Sequence, residues 1–337
     1  MKNFLKKKGI EISAKRYFID AMGAMALGLF ASLLIGTIFG TIYDKTGIEF
    51  FNKMQEFAKA AQGSAMAIAI GSALNAPALV LYSLCAVGYG ANSLGGPLGT
   101  LIVVIVAAEF GKLVSKETKI DILVTPTVTI AVGTALALLI GPGISWIMNA
   151  FGNFIMVCTQ MQPFFMGILI SISIGIVLTL PISSAAICAS LGLIGLAGGA
   201  ATAGCCAQMV GFAVMSFKEN RWGGIVAQGL GTSMLQMGNI IRNPRVWIPP
   251  IIVSAITGPL ATCLFKMENG VGVASGMGTC GLVGPIGVMA SPSFSGAMGW
   301  VGMILICIVL PAVLTPIVAY PFRKIGWIKD GDLKLDL

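Results

Sequence analysis

The side chains of this chain that could do chemistry on a small polar molecule are few, and most are carboxamides. Asn75, Asn92, Gln208, Gln236 and Asn239 all stand in apolar surroundings. A carboxamide supplies donors and an acceptor without the burial cost of a charge. As a set they suggest a polar cavity suited to a hydroxylated solute, although any one alone is as readily a helix–helix hydrogen bond. Thr279 is polar within a glycine-rich run, Gly270–Gly287. Glu109 stands three positions before Lys112, and Glu268 follows Lys266 and directly precedes Asn269 and that run. A carboxylate beside a cavity-lining loop can accept hydrogen bonds from substrate hydroxyls and take a proton from one of them. Glu268 is therefore the candidate catalytic base as well as a substrate ligand. Glu109 reads first as an ion pair at a helix end and also belongs to the substrate-binding set. Asp121 opens a helix, where the dipole favours a carboxylate without any further role.

Other chemistry is excluded. There is no histidine, so Ser-His-Asp and Cys-His catalysis are absent. The eight cysteines, Cys85, Cys158, Cys188, Cys205, Cys206, Cys263, Cys280 and Cys307, form no CxxC pair and lie in apolar windows. They read as small packing residues, and neither a metal nor a cofactor is expected.

The elements that position these groups are membrane spans. Only 10% of residues are charged, against about 25% in a soluble domain. Six windows carry no charge at all: Ala21–Tyr43, Ala60–Ala108, Ile122–Phe217, Trp222–Ile241, Val246–Phe265 and Asn269–Phe322. A bilayer span needs about 20 apolar residues. The pattern excludes a soluble enzyme, a disordered chain and an outer-membrane barrel. Nucleic acid is not expected as a partner, because the net charge of +8 sits largely in the ends and loops. Lys2, Lys6, Lys7, Lys8, Lys15 and Arg16 at one end, and Arg323, Lys324, Lys329 and Lys334 at the other, place both termini in the cytoplasm. Ala21–Tyr43 is too long for a signal-peptide core and reads as a retained first span. Residues 1–18 and 323–337 are expected as cytoplasmic tails around one membrane domain, 19–322. Asp44–Lys59 has apolar residues at helical spacing among charges, so it should lie in the interface as an amphipathic helix.

The expected fold is an all-α polytopic integral membrane protein of about ten transmembrane helices, with eight as the lower count. Ile122–Gly141, a short Ile144–Cys158, Pro163–Leu180, Ser184–Phe217, Trp222–Ile241, Val246–Phe265 and Gly299–Tyr320 are expected as separate helices. Four stretches should be re-entrant or broken: Ala86–Gly99, Gly192–Gln208, Gly229–Asn239 and Gly270–Gly287. Broken backbone at membrane depth needs protein or a water-filled cavity to satisfy it, and transporters use it to meet polar substrates. The second stretch reads equally well as a small-residue packing face. A possible internal two-fold repeat sets Ala78–Gly90 over Ala185–Ala197, each followed by a glycine-rich break and a charged loop.

Several longer runs carry a family resemblance. EFGKLVSKETKIDILVTP from Glu109, GCCAQMVGFAVMSF from Gly204, QGLGTSMLQ from Gln228, NPRVWIPP from Asn243, GPLATCLFKMEN from Gly258 and GMGTCGLVG from Gly276 resemble the membrane component IIC of the phosphotransferase sugar-transport system. They are most similar to its perfringolysin-regulator-like branch. The resemblance covers roughly Tyr17 to Phe322. It implies a homodimeric permease in the bacterial cytoplasmic membrane. Such a permease binds a sugar or related small polar solute and translocates it as a separate IIB subunit, charged by IIA, phosphorylates it. The phosphoryl-carrying groups lie outside this chain. The chain lacks the histidine and the Asn-Ile-Thr-Glu-Pro motif of glucose-type members, so no catalytic residue is carried over from them. Two other readings fit the composition: a membrane-embedded small-ligand sensor without transport, and an ion-coupled secondary transporter, for which buried carboxylates are scarce.

Overall fold

The computed structural model describes residues 2–11, 13 and 15–335. Among these residues the regular structure is helical, with no strand and a single isolated bridge, Gly195–Asn269. Six helices are long and apolar enough to cross a membrane: Lys15–Gly40, Ala78–Val114, Asp121–Thr159, Gly195–Met215, Pro244–Leu264 and Gly296–Lys324. The chain divides into two compact units, Met1–Met148 and Asn149–Leu337.

The first unit holds α1 (Lys15–Gly40), α2 (Glu49–Ala60), α3 (Gln62–Ala73), α4 (Ala78–Val114) and most of α5 (Asp121–Thr159). The α2 helix has no buried residue, and its Phe50 and Phe57 are exposed, as an amphipathic helix requires if bilayer is to cover its apolar face. The α3 and first α4 segments pack antiparallel through small residues. A Cβ on Gly63 would stand 2.4 Å from the Gly88 carbonyl oxygen, and one on Gly88 would stand 2.4 Å from the Ala67 Cβ. Small residues let helix backbones approach this closely.

The α4 helix is not one rod. Gly96 has φ 59° and ψ −159°, a conformation open only to glycine, and Pro97 follows it. Val80 and Gly111 would be about 45 Å apart in a straight helix. Instead a Cβ on Gly111 would meet the Val80 side chain at 2.9 Å, and one on Gly99 would meet the Ala91 carbonyl oxygen at 3.2 Å. The helix therefore folds back at Gly96 into two antiparallel arms. The break expected within Ala86–Gly99 falls at Gly96, but Ala60–Ala108 holds the short α3 and the folded α4 rather than two spans. Ile122–Gly141 and Ile144–Cys158 are not separate helices, since α5 runs through both with Pro142 inside it.

The second unit is built on α8 (Gly195–Met215), whose residues are nearly all buried. Around it stand α6 (Pro163–Thr179), α7 (Ser184–Ser190) and α11 (Ile248–Pro259, continued by a π-helical turn Leu260–Leu264). A further pair, α13 (Gly296–Ile304) and α14 (Leu310–Lys324), is joined through a π-helical turn, Leu305–Val309. Gly204 lets α6 cross α8: a Cβ there would stand 1.9 Å from the Ser171 carbonyl oxygen. Ser184–Phe217 is not one helix, because Gly192 and Gly195 take positive φ and separate α7 from α8. Trp222–Ile241 is not a regular span either. It breaks into α9 (Phe217–Val226), a π turn Ala227–Gly231, a 3-10 turn Ser233–Gln236 and α10 (Met237–Arg242).

Candidate functional site

The α8 helix gives the site its axis. Its 21 residues span about 30 Å, roughly the hydrocarbon thickness of a bilayer. At its Gly195 end lie Pro163, Lys266 and Glu268, and at its Met215 end lie Arg323 and the 227–242 segment.

Two broken segments enter from these opposite ends. From the Gly195 end, residues 270–289 run inward. Gly272 lies against the Cys188 carbonyl, Gly276 against Ser184 and Gly278, at φ 54°, against Cys205 on α8. The chain returns through α12 (Val283–Met289) to place Gly287 beside Asn269 and Ala290 beside Gly270. From the other end, residues 227–236 run in and back out. The tips meet where the Thr279 hydroxyl donates to the Gly229 carbonyl at 2.5 Å and to the Met209 sulfur at 3.7 Å. The last two glycine-rich stretches of the sequence thus touch beside Met209 and Ala213, in the last third of α8.

Glu268 sits at the mouth of the first segment. After the π turn, Lys266 takes φ 46° and the chain becomes extended. The backbone here lies directly on α8: a Cβ on Gly199 would stand 1.8 Å from the Met267 carbonyl oxygen. The half-buried Glu268 Oε2 accepts from the Ser291 hydroxyl at 3.3 Å, and Ser291 shares a 2.9 Å hydrogen bond with Ser293. Glu268 and Ser293 line a small cleft of about 30 Å³ with Lys266, Phe265, Phe294 and Met298, room for about one water. A hydroxylated ring could engage this carboxylate, hydroxyl and ammonium only if the cleft widened.

Asn269, which the sequence reading used only as a landmark, anchors this turn. It is fully buried, donates to the Thr202 hydroxyl at 2.9 Å and the Gly284 carbonyl at 3.3 Å, and accepts from the Val271 N–H at 2.9 Å. Its isolated position before a glycine run was the available signal.

The other amides are engaged with the protein. Gln208 accepts from the Trp247 indole N–H at 3.0 Å and donates to the Ser254 hydroxyl at 3.3 Å, tying α8 to α11. Gln236 and Asn239 are bonded to each other, and Gln236 donates to Gln228 at 2.8 Å and to the Leu333 carbonyl at 3.1 Å. Asn239 donates to the Lys334 carbonyl at 2.9 Å. Thr279 is near Gln208 through Met209, while Glu268 stands apart: Gly199 and Met209 are separated by about 15 Å of helix.

Asn75, Asn92 and Glu109 belong to the first unit. Asn75 is exposed at φ 54° in the turn between α3 and α4. Asn92 faces Gly63, and its Oδ1 is buried with no hydrogen-bond partner among the described residues. Glu109 pairs with Lys112 at 2.9 Å and accepts from the Tyr17 hydroxyl at 3.2 Å. Lys112, fully buried, also donates to the Gly9 carbonyl at 2.9 Å and to the Leu74 carbonyl at 3.0 Å, and Arg16 donates to that same Leu74 carbonyl. Leu74 caps α3, so two cations meet the negative end of a helix. Asn92 lies about 25 Å along α4 from Glu109 by residue count, before the fold-back at Gly96 shortens the separation. Among the described residues no three His, Cys, Asp or Glu side chains gather as a metal site requires.

Six membrane-length apolar helices among the described residues define a multi-pass helical membrane protein. The profile of the family described as phosphotransferase system, EIIC, matches residues 19–335, and the chain belongs to that family. It is a multi-pass membrane component of phosphotransferase sugar transport. No curated protein matches the chain, and no solved structure matches it.

Proposed function

We propose that this chain is the sugar permease itself, of the perfringolysin-regulator-like branch, working as a homodimer in the bacterial cytoplasmic membrane with separate IIB and IIA partners. The observation that carries the reading is the Thr279–Gly229 contact between two broken segments entering from opposite ends of α8. Re-entrant segments of this kind line a solute path. Both termini are cytoplasmic, and 1–18 and 323–337 flank the transport domain 19–322. Counting α1, both arms of α4, α5, α6, α8, α11 and the α13–α14 helix gives eight crossings. The shorter α3, and the 180–194 stretch that must return between the parallel α6 and α8, bring the count to about ten.

In this reading Glu268 binds the sugar from the outer face and is the candidate base for its hydroxyl; the amides Gln208, Gln236 and Asn239, with Thr279, contribute polar surfaces in the second unit, and Asn75, Asn92 and Glu109 contribute substrate-binding groups in the first. With residues 323–335 on the cytoplasmic side, Glu268 stands at the far end of α8 from the phosphoryl donor. Its action as base therefore requires the carboxylate and donor to be brought together. The test is uptake of a panel of labelled sugars by cells with and without this chain, scored for intracellular sugar phosphate. Accumulation that depends on both the chain and a IIB protein supports the reading. No gene-dependent uptake or phosphorylation for any sugar overturns it.

A further inference from the structure

The amides at the Met215 end of α8 hold a peptide, and the peptide is the chain's own. Residues 325–335 fold back beneath the 227–242 segment. Asn220 donates to the Leu333 carbonyl at 2.8 Å and accepts from the Leu335 N–H at 2.8 Å, the pattern by which one strand reads another. Gln236 and Asn239 donate to the next carbonyls, Leu333 and Lys334. Asn243 donates to the Trp327 carbonyl and the Asp332 carboxylate, both at 2.8 Å. The Arg245 guanidinium lies 5.1 Å from the Trp327 ring centre. Ile328 and Leu333 insert as apolar plugs at 2% and 0% exposure.

We propose that residues 325–335 are a displaceable strap that holds the 227–242 segment closed at this membrane face, and that its release frees Gln236 and Asn239 to bind a polar solute. Three observations favour a device that opens over a permanent seam. Gly326 and Gly331, at φ 81° and 94°, bracket its centre and give it two hinges. Its ion pairs among the described residues are peripheral: Asp330 with Lys218 at 2.6 Å and with Arg323 at 3.4 Å, the first between largely exposed groups, and such pairs hold weakly. The carboxamides it covers lose no partner they cannot replace with water or solute hydroxyls. The strap also bears on the solute path, since it grips the returning limb of the segment whose other limb carries Gly229 to Thr279.

The test is hydrogen exchange on the full chain in lipid nanodiscs, with and without a reducible bis-thiol linker joining Lys218→Cys to Asp330→Cys, in a background where the exposed Cys263 is Ser. The backbone amide of Leu335 donates across the contact to the Asn220 side chain, so its exchange reports opening, while Trp327, Ile328, Lys329 and Lys334 bond locally and report the strap's own order. The expected result is exchange at least 100-fold faster than in α8, slowed at least tenfold by the linker and restored by reduction. Exchange as slow as α8 without the linker overturns the strap. The gating consequence rests on the permease reading. In a preparation that transports, the linked form should show at least fivefold lower uptake, recovered on reduction, and unchanged uptake in fully linked protein overturns the gate. Absent uptake in the unlinked protein counts against the permease reading alone, because the exchange comparison still decides the strap.

Discussion

Gly195 and Asn269 face each other across the isolated bridge, the Gly195 N–H donating at 2.9 Å and the Asn269 N–H at 3.1 Å. This pair fixes the start of α8 to the mouth of the first broken segment, directly beside Glu268. The Asn269 side chain completes the lock through Thr202, Gly284 and Val271. Asn269→Ala should destabilise the second unit by about 1–3 kcal/mol for each buried group left unpaired. Asn269→Asp should also destabilise it, because a second carboxylate oxygen then opposes the Gly284 carbonyl. Thermal unfolding of purified protein checks both, and wild-type stability in the two variants would show that the lock is dispensable.

Glu268→Gln keeps the side-chain shape and removes the charge and the base. If the carboxylate only binds, sugar affinity should fall by about 1.5–3 kcal/mol, the range for a hydrogen bond to a charged group. If it is the base, binding should persist while phosphorylation falls about 10²–10⁴-fold. Measuring the two separately divides the roles, and no change in either removes Glu268 from the site.

Glycine at 199 is a steric requirement. A Cβ there would stand 1.8 Å from the Met267 carbonyl oxygen, whereas a Cβ on Gly23 in α1 meets nothing within 4 Å. Gly199→Ala should displace the Met267–Asn269 backbone and abolish sugar binding or folding. Gly23→Ala should be tolerated and slightly helix-favouring. Expression yield and ligand binding of the two variants provide the comparison, and equal behaviour would show that the 199 contact can relax.

The Glu109–Lys112 pair predicts an asymmetry. Lys112→Met strands a mostly buried carboxylate and two of the carbonyl contacts made by Lys112, so it should cost about 3–5 kcal/mol. Adding Glu109→Gln removes the stranded charge and should recover part of that loss. A double variant less stable than Lys112→Met alone, by thermal unfolding, would contradict the pairing.

Asp330 gives the strap a pH dependence. The hydrogen bond from Lys218, and then its charge, hold the Asp330 carboxyl below its ordinary value. A carboxyl with a lowered folded-state pKa adds stability that is full above its ordinary pKa and is lost as pH falls through the lowered one. Exchange in residues 325–335, corrected for the intrinsic pH dependence of exchange, should therefore rise on acidification below the ordinary carboxylate range. Asp330→Asn should flatten that rise. An identical profile in the variant would assign the effect to another group.

The membrane class, the break at Gly96-Pro97 and the broken character of Gly229–Asn239 and Gly270–Gly287 were legible in the sequence. Each is written locally, in missing charge, in proline, or in glycine density no regular span carries. The identity of α5 as one helix was not legible, because Pro142 signals a stop that α5 overrides. The fate of the amides was hidden too. Gln208, Gln236 and Asn239 look alike in an apolar window, yet one joins two helices and two hold the strap.

Composition and local pattern by themselves determined that this is a helical multi-pass membrane protein and marked the break at Gly96, but they also expected a break in Gly192–Gln208, where helix runs on from Gly195. Only the tertiary structure decided that Thr279 meets Gly229, that Asn269 is satisfied by Thr202, and that Leu333 lies over Gln236. Helical and charge patterns repeat over a few residues and can be read from neighbours in the chain. A hydrogen bond between segments 50 or more positions apart leaves no periodic trace, and its partners are chosen by the path the backbone takes once glycine has opened the space.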